Sequence, residues 1–137
     1  MNNIFVLDAC ALLAVARNEA GADIVSEAYI KAANEESQIL INRINLLEVY
    51  YDFYRHKGKE YADNFVRQVE HSDLQISEFD ETLFSIAGRL KASYKISLAD
   101  YIALAQAIKS QGEFLTCDHH EFDFIEGKEP IRFCWIR

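Results

Sequence analysis

Short apolar runs alternate with longer stretches of helical periodicity along this chain, and no other sequence feature constrains the fold as strongly. The runs are typical of buried strands and cover residues 4–7, 38–42, 74–79, 113–117 and 131–136. Between them, helical patterns cover 9–17, 22–36, 45–58, 59–70, 80–95, 97–112 and 118–126. Such alternation predicts an α/β fold in which helices cover both faces of a central parallel sheet.

Length and composition predict one globular domain spanning residues 1–137. Half of the residues are hydrophobic, and the chain has one Pro and five Gly, which is unlike a disordered segment. No apolar run approaches the roughly 20 residues that span a bilayer, and no basic region precedes the first apolar stretch. We therefore expect a cytoplasmic protein without a membrane partner. The three cysteines form no CxxC pair, and we expect all three to be free thiols.

The chain is acidic, with a formal net charge of −8. Long-range attraction to nucleic acid is therefore unfavourable, because both carry the same sign of charge. A polyanionic substrate would need a local basic patch or bound cations. The basic cluster at 55–59 could contact phosphates, but it is better explained as the end of a helix, where cations interact favourably with the dipole.

Four carboxylates occur where the predicted strands give way to helices. Asp8 and Asp118 follow the strands at 4–7 and 113–117, whereas Glu48 and Asp100 are predicted in the first turns of two helices. The carboxyl ends of parallel strands meet at one edge of a sheet, and ligands bind in the crevice there. We therefore expect these four side chains to converge.

Each acid, taken singly, could equally be a helix cap. Asp8 and Asp118 suit N-cap positions, and the pairs Asn45–Glu48, Ser97–Asp100 and Asp118–Glu121 resemble capping boxes. Capping does not explain the set, because clustered like charges repel and neutral residues would cap as well. A hard dication such as Mg²⁺ or Mn²⁺, which prefers oxygen ligands, would offset this repulsion.

Four segments of the chain resemble the acidic motifs of PIN-domain ribonucleases, most of all the VapC-type toxins of bacterial toxin–antitoxin pairs. They are "FVLDACALLAV", "INLLEVYY", "SLADYIALAQA" and "FLTCDHHEFDFI", which occur in the family's order from residue 4 to about residue 125. The sequence departs from the pattern after the first Asp, where the family usually has Ser, Thr or Asn and this chain has Ala9 and Cys10.

The resemblance implies a fold, a metal site and partners. The fold would be a three-layer α/β/α sandwich. The metal-binding and catalytic residues would be Asp8, Glu48, Asp100 and Asp118, holding Mg²⁺ or Mn²⁺, with a supporting hydroxyl at Thr116. The substrate would be RNA, and an antitoxin protein would be the inhibitor.

The expected function is therefore a hydrolase: a metal-dependent endoribonuclease in which Glu48 orients or deprotonates the attacking water. The alternative is a catalytically inactive PIN-like module that only binds a protein partner. Two further possibilities carry less weight. Cys10, Cys117, His119 and His120 match no zinc pattern, and Cys10 stands where an aspartyl-phosphate phosphatase would have a second Asp.

The segment "VYYDFY" at 49–54 carries aromatic residues on more than one helical face. Core packing accounts for only one face. The excess predicts a surface covered by a partner or by a second copy of the chain, and we expect a homodimer.

Overall fold

Residues 3–137, the part of the chain that this computed structural model describes, contain five strands and seven helices. The strands are β1 Asn3–Leu7, β2 Ser37–Asn42, β3 Leu74–Ser77, β4 Glu113–Thr116 and β5 Arg132–Trp135. The helices are α1 Ala9–Ala16, α2 Ala22–Ala33, α3 Arg43–Lys57, α4 Lys59–Glu70, α5 Glu81–Ser93, α6 Leu98–Ser110 and α7 His119–Phe122.

All five strands form one sheet in the order β3-β2-β1-β4-β5, and every neighbouring pair is parallel. The order runs in one direction from β1 to β3 and in the other from β1 to β5. The strand order therefore switches between β1 and β4, which pair in the register Leu7↔Leu115. Such a switch point leaves a crevice beyond the carboxyl ends of the two strands.

Alternate residues of the central strand enter two separate cores. Phe5 and Leu7 pack with residues of α1, α2, α3 and α4 on one face, and Val6 packs with residues of α5 and α6 on the other. All three are buried, as expected for a parallel sheet covered on both sides. The predicted three-layer α/β/α sandwich with a central parallel sheet is confirmed.

Helix α3 begins two residues earlier than the sequence predicts. Its N-cap is Asn42, whose side chain accepts a hydrogen bond from the Ile44 N–H at 3.0 Å and donates one to Gln106 Oε1 at 3.1 Å. The predicted cap, Asn45, lies inside the helix and is buried. Glu48 therefore lies in the second turn of α3 and not the first.

Among the residues described, no helix is both long and apolar enough to cross a membrane.

Candidate functional site

A pocket of about 360 Å³ opens beyond the carboxyl ends of β1 and β4. Four elements each contribute one of the predicted acids to its wall: α1 through its N-cap Asp8, α3 through Glu48, α6 through Asp100 and α7 through its N-cap Asp118. The predicted convergence of these four side chains is therefore observed. Their roles in catalysis and metal binding stay predictions.

Asp8 is the most buried of the four acids, with 3% of its surface exposed. Its Oδ1 accepts a hydrogen bond from the Ala11 N–H at 2.9 Å and caps α1, while Oδ2 accepts one from Thr116 Oγ1 at 2.5 Å. Asp8 is thus both a helix cap and a pocket wall. The two explanations that the sequence left open are compatible.

Thr116 links the two strand ends at the pocket. Besides donating to Asp8, its hydroxyl oxygen accepts a hydrogen bond from the Asp118 N–H at 3.1 Å. The Asp118 carboxylate in turn accepts from the Glu121 N–H at 3.2 Å and caps α7. The supporting contact expected from Thr116 is confirmed, and it orients the carboxylate of Asp8 directly.

Helices α3 and α6 are joined beside the pocket. Asn45 Nδ2 donates a hydrogen bond to the Ala99 carbonyl at 2.9 Å, so the residue predicted as a cap instead fixes Glu48 relative to Asp100. Asp100 accepts a hydrogen bond from the Ser97 hydroxyl at 2.7 Å, and Ser97 caps α6.

Burial and mutual repulsion make these acids harder to ionise than ordinary carboxyls. Burial, with smaller contributions from the charges of Asp100 and Asp118, raises the pKa of Asp8 to about 7, although its hydrogen bonds to Thr116 and Ala11 lower it. Burial, with the charges of Asp118 and Glu121, raises the pKa of Asp100 to about 6. The pKa of Glu48 is also raised, first by burial and then by Asp100. The pocket therefore favours cations.

The four carboxylates supply only oxygen donors, which suits Mg²⁺ or Mn²⁺. Within residues 3–137, no three His, Cys, Asp or Glu side chains are grouped closely enough to form a ready-made cage for an ion. Mg²⁺ needs no such cage, because it keeps several waters and binds through one or two carboxylates plus substrate phosphates. The donor set therefore fits a hydrated hard dication better than it fits zinc.

The expectation of three free thiols is wrong. Cys10 and Cys117 form a disulfide beside the pocket, with their Cα atoms 6.1 Å apart, and only Cys134 is free among the described residues. The pairing of β1 with β4 brings the two cysteines together across 107 residues of chain. The disulfide also removes two of the four zinc ligands considered from the sequence.

His119 is engaged elsewhere as well. One ring nitrogen lies 2.7 Å from Asp123 Oδ1, the other lies 2.9 Å from the Arg137 carbonyl oxygen, and the ring stacks on Trp135. The zinc hypothesis therefore has no support in the geometry.

Two arginines that the sequence analysis did not identify line the same pocket. Arg17 pairs with Asp52 and lies 5.5 Å above the Phe53 ring, and Arg137 donates to the Ala20 carbonyl at 2.8 Å. Neither has a local sequence signal, since each reaches the pocket only through folding. The basic cluster at 55–59 does not line it, which agrees with its interpretation as a helix end.

A glycine allows the chain end to approach this pocket. Gly21 has φ +94°, and a Cβ placed there would lie 2.5 Å from the Ile136 carbonyl oxygen. Only glycine permits both the backbone conformation and the contact. The close approach sets Arg137 beside Glu19 and Ala20.

Comparison with known proteins identifies the family. The PIN domain family model matches residues 5–127, whereas no curated protein sequence matches the chain.

Several solved structures share the fold. A chain of the DNA-bound VapBC of Salmonella typhimurium has a TM-score of 0.76 at 17% identity, with 100% of each chain covered. A chain of VapBC2 from Rickettsia felis, bound to a promoter DNA fragment, has a TM-score of 0.73 at 20% identity, covering 96% of this chain and 97% of that one.

VapC20 of Mycobacterium tuberculosis, a Sarcin-Ricin loop cleaving toxin, has a TM-score of 0.60 at 14% identity, covering 83% of this chain and 87% of that one. At such identities the structures support the fold alone, and the family assignment follows from the match to the PIN model over most of the sequence. The chain belongs to the PIN domain family.

Proposed function

We propose that this protein is a metal-dependent endoribonuclease and the toxin of a toxin–antitoxin pair. The observation that carries the proposal is the set of four carboxylates, from four separate elements, in one pocket at the switch point of the sheet. The membership in the PIN family and the fold shared with VapC-type proteins support the same conclusion. The cytoplasm, where RNA is available, is the proposed location.

Asp8, Asp100 and Asp118 would hold a hydrated Mg²⁺ or Mn²⁺, directly or through its waters, with Glu48 beside them. When bound, the metal acidifies water and offsets charge that develops on phosphoryl oxygens. Thr116 would keep the Asp8 carboxylate oriented through its hydrogen bond. Glu48 would orient the attacking water or accept its proton, a role suited to a carboxyl whose pKa is raised.

Arg17 and Arg137 provide local positive charge that an acidic protein would need to bind a polyanionic substrate. The chain carries a net charge of −8, yet both arginines lie on the wall of the acidic pocket. We propose that their guanidinium groups bind phosphates that flank the scissile one. Such contacts position a nucleic acid without reading its sequence.

The acids also argue against a module that only binds a partner. Asp8 and Asp100 are held in an environment that raises their pKa values, and this costs stability at neutral pH. A scaffold could avoid that cost with Asn or Ser at the same caps.

The direct test is cleavage of a labelled RNA by protein purified free of any inhibitor. We expect cleavage with Mg²⁺ or Mn²⁺, none in EDTA, and a loss of at least about 100-fold in Glu48→Gln if this residue assists proton transfer. Glu60→Gln removes an exposed acid outside the pocket and serves as the matched control with unchanged activity. Cleavage that continues undiminished in EDTA would contradict the metal mechanism.

A further inference from the structure

The Cys10–Cys117 disulfide joins the segments that carry Asp8 and Asp118, the two acids that both hydrogen-bond to Thr116. Cys10 is the second residue of α1, two positions after Asp8, and Cys117 immediately precedes Asp118. The bond therefore spans the crevice between β1 and β4, next to the metal-binding residues proposed above.

The surroundings of the two sulfurs differ. Cys10 lines the pocket, whereas Cys117 packs against the hydrophobic core below. Both residues are only partly buried. A small reagent entering the pocket therefore reaches Cys10 first, and Cys117 is the adjacent second thiol.

Besides the disulfide, the pairing of β1 with β4 and the hydroxyl of Thr116, which bonds to both acids, hold Asp118 near Asp8. Asp118 itself caps α7, a helix of only four residues. Asp8, Asp100 and Asp118 line the same pocket, and carboxylates brought together in this way repel one another. A covalent link at the neighbouring positions opposes the separation that this repulsion favours.

We propose that Cys10 and Cys117 are a reversible thiol–disulfide site, and that oxidation preorganises the carboxylates of Asp8 and Asp118 for binding a dication. Disulfides of proteins in reducing compartments are mostly transient and redox-sensing, which fits a bond placed beside a reactive site. The consequence for metal binding rests on the proposed function, but the formation of the bond does not.

The oxidant would be a low-molecular-weight disulfide of the glutathione type. The Cys10 sulfur attacks one sulfur of this molecule, its S–S bond breaks, and one small thiol leaves with the proton of Cys10. The Cys117 sulfur then attacks the mixed disulfide at Cys10 and releases the second small thiol with the proton of Cys117. The protein loses two electrons and two protons, and the small disulfide gains them.

The first test counts thiols after equilibration in buffers with different ratios of reduced and oxidised glutathione, using Cys134→Ser protein so that only the two proposed thiols are present. We expect both thiols to disappear together as the buffer becomes more oxidising. Cys117→Ser should instead accumulate a glutathione adduct at Cys10, detectable by mass spectrometry. Two thiols that persist in every buffer would overturn the proposal.

The second test measures Mn²⁺ binding by calorimetry to the oxidised and reduced forms of Cys134→Ser protein. We expect a Kd several-fold lower for the oxidised form, because a preorganised site loses less conformational entropy on binding. A Cys10→Ala variant in the same background should bind Mn²⁺ like the reduced form in both buffers, and thermal melts check that it is folded. Equal Kd values in the two redox states, or weaker binding by the oxidised form, would overturn the proposal.

The two proposals fail separately. If neither form cleaves RNA but oxidation lowers the Kd for Mn²⁺, the proposed function is wrong and the redox site stands. If both forms cleave RNA equally and bind Mn²⁺ equally, the nuclease stands and the proposed preorganisation by the disulfide is wrong.

Discussion

At the scale of single residues, Asp8 combines a structural and a chemical role. One of its oxygens caps α1 and the other accepts the Thr116 hydroxyl, within a site that leaves 3% of the residue exposed. These hydrogen bonds lower the pKa of Asp8, but burial outweighs them and raises it to about 7. Without metal, the charged form of Asp8 is therefore a source of instability.

Asp8→Asn should gain stability relative to the parent as the pH rises from about 5 to about 8 in metal-free buffer. The folded parent holds a proton on Asp8 up to a pKa of about 7, whereas the unfolded chain releases it near 3.8. The free energy of unfolding of the parent therefore falls as the pH rises through this range, and Asn does not titrate. Urea unfolding of both proteins at several pH values measures the difference, and a difference independent of pH would contradict the assigned pKa.

Thr116→Val should weaken Mn²⁺ binding by roughly 10- to 100-fold, the usual effect of losing a group that orients a metal ligand. Thr116 is fully buried and donates to Asp8 Oδ2, and Val keeps its shape without its hydroxyl. Calorimetric titration with Mn²⁺ tests this, with melts to confirm folding. Unchanged affinity would mean that the hydroxyl only supports the fold.

Arg17→Gln should raise the KM for RNA and leave kcat within a few-fold of the parent. Arg17 lines the pocket but is not one of the residues proposed to hold metal. Its loss should therefore weaken substrate binding and leave the rate of the chemical step nearly unchanged. The slope of log affinity against log salt should fall by about 1 if one phosphate contact is lost. A fall in kcat at constant KM would assign Arg17 a part in the reaction itself.

At the scale of elements, α3 has two apolar faces. Leu46, Val49 and Phe53 are buried, while Leu47, Tyr51 and Tyr54 are 51%, 48% and 46% exposed at the spacing of a second helical face. The sequence predicts this second face because "VYYDFY" exceeds what one core can accept. It does not predict the start of α3, because Asn42 and Asn45 are equally good caps and only the contact of Asn42 with Gln106 distinguishes them.

The exposed face of α3 leads us to expect self-association when no other partner covers it. Tyr51→Lys should shift the protein toward monomer by introducing charge into an apolar contact, with little change in stability because Tyr51 is exposed. Light scattering over a concentration series measures the mass of parent and variant. A parent that is strictly monomeric at high micromolar concentration would contradict the expectation of a homodimer.

At the scale of the whole molecule, the sequence predicts the three layers of the fold but not the order of the strands within the sheet. The apolar runs and helical periods predict the five strands and seven helices, and the position of each acid after a strand or early in a helix predicts their convergence. Strand order depends on tertiary packing, so the sequence does not reveal that β1 lies beside β4. The disulfide and the placement of Arg17 and Arg137 in the pocket follow from that packing. The sequence alone therefore does not predict any of these three features. The extent of the domain, 1–137, stays a prediction.

The most direct measurement of the central claim is the rise in melting temperature that Mn²⁺ gives to the parent, Asp8→Asn, Asp118→Asn and Glu60→Gln. At a concentration of 100 times Kd, binding adds about 2.7 kcal/mol of stability, or a rise of roughly 10 °C for a domain of this size. We predict this rise for the parent and Glu60→Gln, because Glu60 is exposed away from the pocket, and most of it lost in the two Asp variants. Equal rises in all four proteins would contradict the claim and would mean that Asp8 and Asp118 act only as helix caps.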